Sequence, residues 1–243
     1  MAEPLLSIVT VTKNCAETID ITLESVSAVK WPGVEYLVVD GASTDATLEI
    51  IRARGVLVDR LVSEPDTGIY NAMNKGVVLA KGRYVLFING DDALVADGFS
   101  AVMDTMARGR DGIICATTLV GSIALPDETL VAKPWCLLFF NAIPHPSSFV
   151  RRELLLRNPF REDLRIVSDY DFFLSAYLSG ESFRVLPVVT ALHQRGGASG
   201  DVHRSQTELE EVRRERLRWR YPIINVVAAL YRVCKWAIRG KTA

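Results

Sequence analysis

The sequence predicts an α/β fold, a Rossmann-like and mostly parallel sheet flanked by helices, with a helical appendage at the carboxy terminus. Three observations carry that prediction. Short apolar runs alternate with segments of helical spacing from Leu6 to Ile88. The runs are continuously apolar, as strands buried on both faces are. Polar residues, several of them acidic, stand where the runs end. With 243 residues, 49% of them hydrophobic, the chain can bury a sizeable core.

Leu6 to Thr12 is a β-rich run, and Thr18 to Val29 places Ile19, Leu23, Val26 and Val29 at helical spacing. Val34 to Val39 is the second strand, Ala46 to Arg54 the second helix, Val56 to Val62 the third strand and Ile69 to Ala80 the third helix. The fourth strand, Tyr84 to Ile88, delivers Asn89-Gly90-Asp91-Asp92 at a turn. Such alternation implies right-handed crossovers in a parallel sheet, and ligands bind beyond the carboxyl ends of its strands. Thr12 and Asn14, Asp40, and Asn89, Asp91 and Asp92 therefore converge on one crevice. Adjacent carboxylates repel unless a cation or an organised site balances them. The competing account is a turn made by Gly90 and Asp91, with Asp92 capping a following helix. The turn Val11 to Glu17 has no glycines, and no Walker loop is present. A bound diphosphate would need a cation, which Asp91 can hold through a hard oxygen.

The four cysteines, at positions 15, 115, 136 and 234, form no CxxC pair, so neither a disulfide framework nor a zinc site is expected. The amino terminus lacks the basic start of a signal peptide, and a cytoplasmic setting is expected. Charge is unevenly spread: residues 203–243 carry +6, leaving −7 for residues 1–202, and this places a domain boundary between them. The tail holds Arg213, Arg214, Arg216, Arg218 and Arg220, then an apolar stretch from Pro222 to Tyr231, then Arg232, Lys235, Trp236, Arg239 and Lys241. The stretch is too short to span a bilayer, which takes about 20 residues. Two readings fit it: an interfacial helix lying on anionic lipid, peripheral on the cytoplasmic face of the inner membrane, or a terminal helix packed on its own domain. No nucleic-acid partner is expected.

Five segments, in order, carry a resemblance. They are Ser7 to Asn14, Val38 to Asp45, Ser63 to Gly76, the Asn89-Gly90-Asp91-Asp92 turn and Ser168-Asp169-Tyr170-Asp171. Together they resemble the family 2 glycosyltransferases of the GT-A fold, and Ser63 to Gly76 resembles the branch that builds bacterial exopolysaccharide, colanic-acid-like and O-antigen chains. The resemblance implies an inverting enzyme that moves a sugar from a nucleoside diphosphate donor, UDP-linked, to a lipid-linked or oligosaccharide acceptor, with Mn2+ or Mg2+ as cofactor. It implies that the Thr12 to Asn14 loop and Asp40 hold base and ribose, that Asp66 contacts the base, and that Lys75 lies near the same pocket. Asn89 stands where the family often has the first carboxylate of DxD, which leaves Asn89 and Gly90 to the donor, Asp91 as the metal ligand with Asp92 as alternative, and His193 as a further ligand.

By the same resemblance Asp169 is the base that takes the acceptor proton, with Asp171 as runner-up and Ser168 in place of a common glutamate. Structural accounts stand beside these roles: helix caps for Asp66 and Asp169, a helix-end lysine for Lys75, and ordinary structural histidines at 145 and 193. His145, in Pro144 to Arg152, could orient acceptor or diphosphate. Gly196-Gly197, after Arg195, suits a loop closing over the diphosphate, or a surface turn. Two other functions compete: nucleotidyl transfer to a sugar phosphate, for which Thr10 to Glu17 lacks the glycine-rich basic loop, and a non-catalytic membrane-associated scaffold.

Overall fold

β1 (Leu6–Thr12) runs parallel between β2 (Val34–Asp40) and β4 (Tyr84–Asn89), and β3 (Arg60–Ser63) extends the parallel set beyond β2. The computed structural model describes residues 3–122, 125–195 and 201–239, with side chains through residue 229. Side chains alternate between the two faces of a strand, and these strands supply two cores. Val9, Val11, Leu37, Val39, Val85 and Phe87 enter one. Leu6, Ile8, Tyr36, Val38, Tyr84, Leu86 and Ile88 enter the other. The crossover helices close each side: α1 (Ile19–Ser27) brings Ile19, Leu23 and Val26 to the second core, and α3 (Ile69–Leu79) brings Tyr70, Met73 and Val77 to the first. α2 (Thr47–Ala53) makes the remaining crossover.

The third strand starts later than its apolar residues suggest. Leu57 N–H donates to Arg54 O at 2.8 Å, which closes a turn through the exposed Val56. The Asp59 carboxylate then accepts Tyr36 N–H at 2.7 Å, so pairing with β2 begins only at Arg60.

The second half mixes strand directions. It contains β5 (Ala93–Leu94), α4 (Phe99–Arg108), β6 (Ile113–Ser122), β7 (Leu125–Val131), β8 (Ser148–Arg151), α5 (Arg152–Arg157), α6 (Ser168–Leu178) and β9 (Phe183–His193). The sheet order is β3-β2-β1-β4-β8-β6-β9-β5, with β7 paired to β6. β8 is antiparallel to both β4 and β6, and β9 is parallel to β6.

The segment from residue 203 onward enters the structure as two different objects. α7 (Val202–Leu217) is capped by Asp201, whose side chain accepts Arg204 N–H at 3.0 Å. It buries Val212 and Leu217 in the same core as Tyr170 and Phe173 of α6. Two tail arginines are spent inside the protein: Arg216 grips Asp171 with two 2.7 Å hydrogen bonds, and the buried Arg213 bonds Leu138 O, Glu210 and Asn225. After a turn at Arg218, where φ is 49°, α8 (Arg220–Arg239) follows. It presents Ile223, Val226 and Val227 to solvent, one face by their spacing. The basic side chains expected from Arg232 onward lie outside the described residues. Among the described residues no helix is long and apolar enough to cross a membrane.

Candidate active site

Strand register brings the expected loops to one edge. Thr12 lies opposite Asp40, Asp40 opposite Ser63, and Val11 opposite Asn89. Beyond this edge the loops after β1 and β2 are zipped together. Asn14, in the left-handed region at φ 52°, accepts Thr44 N–H at 2.9 Å, and its own N–H donates to Ser43 Oγ at 2.8 Å. Asp45 accepts Ala16 N–H at 3.1 Å and Thr47 N–H at 3.0 Å.

Three residues expected at the nucleotide, Asp40, Lys75 and Asp66, make bonds within the protein. Asp40 is fully buried, and its carboxylate accepts Ser43 N–H at 2.9 Å, Ser63 Oγ–H at 2.7 Å and the Ser43 hydroxyl. These three hydrogen bonds hold the carboxylate in place and shape the loop after β2. Lys75 Nζ donates to Pro65 O at 2.9 Å and pairs with Glu64 at 2.8 Å, which fastens the loop that carries Asp66. Asp66 organises the turn ahead of α3. One oxygen accepts Gly68 N–H at 3.0 Å ahead of α3, while the other stands against Gly41 so closely that a Cβ there would collide with it. Gly41, Asp66 and the Lys13 stem thus form a cradle that only a glycine leaves open. Gly90 is fixed similarly, since a Cβ would press on Thr12 Oγ1 at 2.8 Å; that hydroxyl is buried without a partner among the described residues.

The acidic turn is divided between two tasks. β5 pairs with β9, Ala93 opposite Leu192, and this carries Asp92 to the end of β9. Asp92 is fully buried; its Oδ1 lies 2.8 Å from His193 Nδ1 and accepts Gln194 N–H at 3.1 Å. A carboxylate at Nδ1 holds the proton there and leaves Nε2 with its lone pair, as second-shell carboxylates do for metal-ligating histidines. Asp92 therefore orients His193, and Asp91 is the carboxylate that reaches the cavity.

That cavity, of about 450 Å³, brings Asn89, Asp91, Asn141, His145, Asp169 and His193 together. Asp169 stands in the first turn of α6, whose N-cap position is Val167, so it is not the cap. The Tyr70 hydroxyl lies 3.1 Å from Asp169 Oδ1 and 2.6 Å from Ile166 O, and Asn141 Nδ2 donates to Asp169 Oδ2 at 3.4 Å. Asn141 gave no signal in the sequence, and Tyr70 read only as part of a motif. Asp171, the alternative base, is buried in its ion pair with Arg216 and lies outside the cavity.

The electrostatics favour a cation here. Burial, and secondarily the charge of Asp92, raises the Asp91 carboxyl above its ordinary value, and the hydrogen bond to Asp92 raises the His193 imidazole. Burial pushes the His145 imidazole down, toward its neutral form. His145 Nε2, Asn89 Oδ1 and Asp92 Oδ2 are buried and have no hydrogen-bond partner among the described residues. No group of three or more His, Cys, Asp or Glu among the described residues could hold an ion alone. Asp91 and His193 line the same cavity, and their oxygen and nitrogen donors suit a divalent cation only if further oxygens, such as those of a diphosphate, complete its shell. The glycine pair expected to close over it lies outside the described residues; Arg195 before it pairs with Asp127 at 2.7 Å and Glu128 at 3.0 Å.

A parallel half ending in an acidic turn, joined to a half of mixed strand direction that supplies a helix-borne carboxylate, defines a GT-A glycosyltransferase architecture. Solved structures share it. Residues 1-349 of S. aureus TarS in complex with UDP-GlcNAc align with a TM-score of 0.72 at 20% identity, over 87% of this chain and 65% of that one. This chain therefore spans slightly less than two thirds of that structure. Glucosyl-3-phosphoglycerate synthase from Mycobacterium tuberculosis, in complex with Mn2+, UDP and phosphoglyceric acid, aligns with a TM-score of 0.64 at 19% identity, over 88% of this chain and 78% of that one. In sequence, a PGL/p-HBAD biosynthesis glycosyltransferase of Mycobacterium bovis (strain BCG) is 32% identical over 216 residues, 83% of this chain and 82% of that protein. The profile of Glycosyl transferase family 2 matches residues 7–157, and the chain belongs to that family.

Proposed function

We propose that this glycosyltransferase moves a sugar, with inversion, from a UDP-linked donor to a hydroxyl of a lipid-linked or oligosaccharide acceptor. The observation that carries the reading is one cavity holding Asp91 and the Asp92-oriented His193 together with Asp169. The donor nucleotide lies along the strand edge, over the Thr12 to Asn14 loop and the Gly41–Asp66 cradle, with Asn89 accepting from a ribose hydroxyl. Asp91 and His193 hold the divalent cation, which supplies charge stabilisation for the leaving diphosphate. Asp169 takes the proton of the attacking acceptor hydroxyl as the new bond forms on the opposite face of the sugar. Tyr70 and Asn141 keep that carboxylate in place. Structural neighbours in complex with UDP-GlcNAc, or with Mn2+ and UDP, support the donor and cofactor assignments by analogy of fold.

Turnover of UDP-sugars by the purified chain tests this. With Mn2+ the chain is expected to release UDP, EDTA is expected to abolish release, and Asp91→Ala to reduce it at least about a hundredfold, the scale of a lost metal contribution of several kcal/mol. Metal-independent release equal in both proteins would overturn the assignment.

The reading includes peripheral attachment to anionic membrane through α8. Its exposed Ile223, Val226 and Val227, with Trp219 under Arg220 at 5.3 Å just before them, suit an interfacial helix. Burying three such side chains contributes several kcal/mol. The triple change I223S/V226S/V227S is expected to weaken cosedimentation with anionic liposomes at least about tenfold, and equal pelleting would remove the membrane role from this face.

A further inference from the structure

The groups capable of chemistry in the cavity come from the ends of β4 and β9, from α6 and from the segment 141–145. Another part of its lining is of a different kind: Leu130 and Val131 of β7, Phe140, and Leu209 of α7. Leu130 and Phe140 sit at the rim, 38% and 50% exposed, while Val131, next to Leu130 on β7, turns its side chain to the opposite face of the strand. Leu130 and Phe140 are not core residues that happen to face a void. Exposed apolar surface is unfavourable in water, and a bare glycan, covered in hydroxyls, offers an aliphatic leucine little in return. A substrate that brings its own apolar surface removes both surfaces from water at once.

Resting on the glycosyltransferase reading above, we infer that the natural acceptor carries an apolar aglycone next to the hydroxyl that is glycosylated, and that this aglycone lies on the wall made by Leu130 and Phe140. A long free oligosaccharide is then a poor acceptor. The wall belongs to the β6–β7 hairpin and to the segment after it, apart from the loops that hold the nucleotide, so acceptor class and donor binding are separable by mutation.

The test uses the full chain loaded with UDP and Mn2+, titrated calorimetrically with methyl β-D-glucoside and, below its micellar concentration, n-octyl β-D-glucoside. The octyl compound is expected to bind at least about tenfold more tightly. L130S/F140S is expected to lose that preference, with UDP affinity unchanged as evidence of folding, while V226S/V227S, which alters the exposed face of α8, keeps it. Equal binding of the two glucosides, failure of the octyl compound to bind, or a preference that survives L130S/F140S or vanishes only in V226S/V227S would overturn the inference. UDP affinity in the same samples separates the two levels: if UDP binds and the preference is absent, only the acceptor inference fails; if UDP does not bind, the donor reading fails.

Discussion

Asp169→Asn is expected to lower sugar transfer by about 10²–10⁴-fold, the usual contribution of a general base, while leaving UDP affinity and thermal stability close to wild type. The substitution keeps the shape of the side chain and its hydrogen-bonding reach. It removes only the capacity to accept a proton. Stability should hold because the carboxylate is not the cap of α6 and makes no ion pair among the described residues; its partners there, Tyr70 and Asn141, are neutral. UDP affinity should hold because the donor loops after β1, β2 and β3 are built by other residues. The measurement is kcat for transfer beside Kd for UDP in both proteins. A turnover within a factor of three of wild type would move the base elsewhere, and Asp171 is no substitute while Arg216 holds it.

The second large effect is on stability and comes from the segment that charge alone marks as an appendage. Glu208 of α7 accepts backbone N–H groups of Arg165 at 3.0 Å, Ile166 at 2.9 Å and Val167 at 3.4 Å, and the Arg204 guanidinium at 2.9 Å. These residues lead directly into the turn of α6 that bears Asp169. Glu208→Ala strands several buried donors, each costing about 1–3 kcal/mol and not additively. A net loss of about 3 kcal/mol is expected, near 10 °C in Tm for a chain of this size. Glu208→Gln keeps an acceptor and is expected to lose less. Burial raises the Glu208 carboxyl, but the bond to Arg204 and those from the backbone outweigh it, and the net direction is downward. A carboxyl lowered by folding stabilises fully above its unfolded value, near 4.3, and loses that contribution as pH falls through the folded value. The stability gap between wild type and E208A should therefore narrow below about pH 4. A gap that is absent at neutral pH, or that widens in acid, would contradict the tether.

How much of this was legible depended on distance along the chain. β1, β2 and β4 were readable because strands buried on both faces are continuous apolar runs, and their carboxyl ends were marked by polar loops. β3 was readable only in part, since Val56 to Val58 look like strand residues but close a turn. The place of Asp40 at a strand end is visible in the sequence, whereas its bonds to the serines at 43 and 63 are recognisable only once β2 and β3 pair. The division of labour between Asp91 and Asp92 depended on a histidine 101 residues away from Asp92. The tail arginines are alike in sequence, yet Arg213 and Arg216 are consumed by contacts within the fold, and no local pattern separates them from Arg218 or Arg220.

The central claim is that Asp91 and His193 form half a cation site that a nucleoside diphosphate completes. Titration of UDP into the full chain, with Mn2+ and with EDTA, addresses it most directly. Mn2+ is expected to tighten UDP binding at least about tenfold in wild type, or about 1.4 kcal/mol, and to do nothing for Asp91→Ala. UDP affinity that is the same with and without Mn2+ in wild type, or an equal Mn2+ effect in Asp91→Ala, would contradict it.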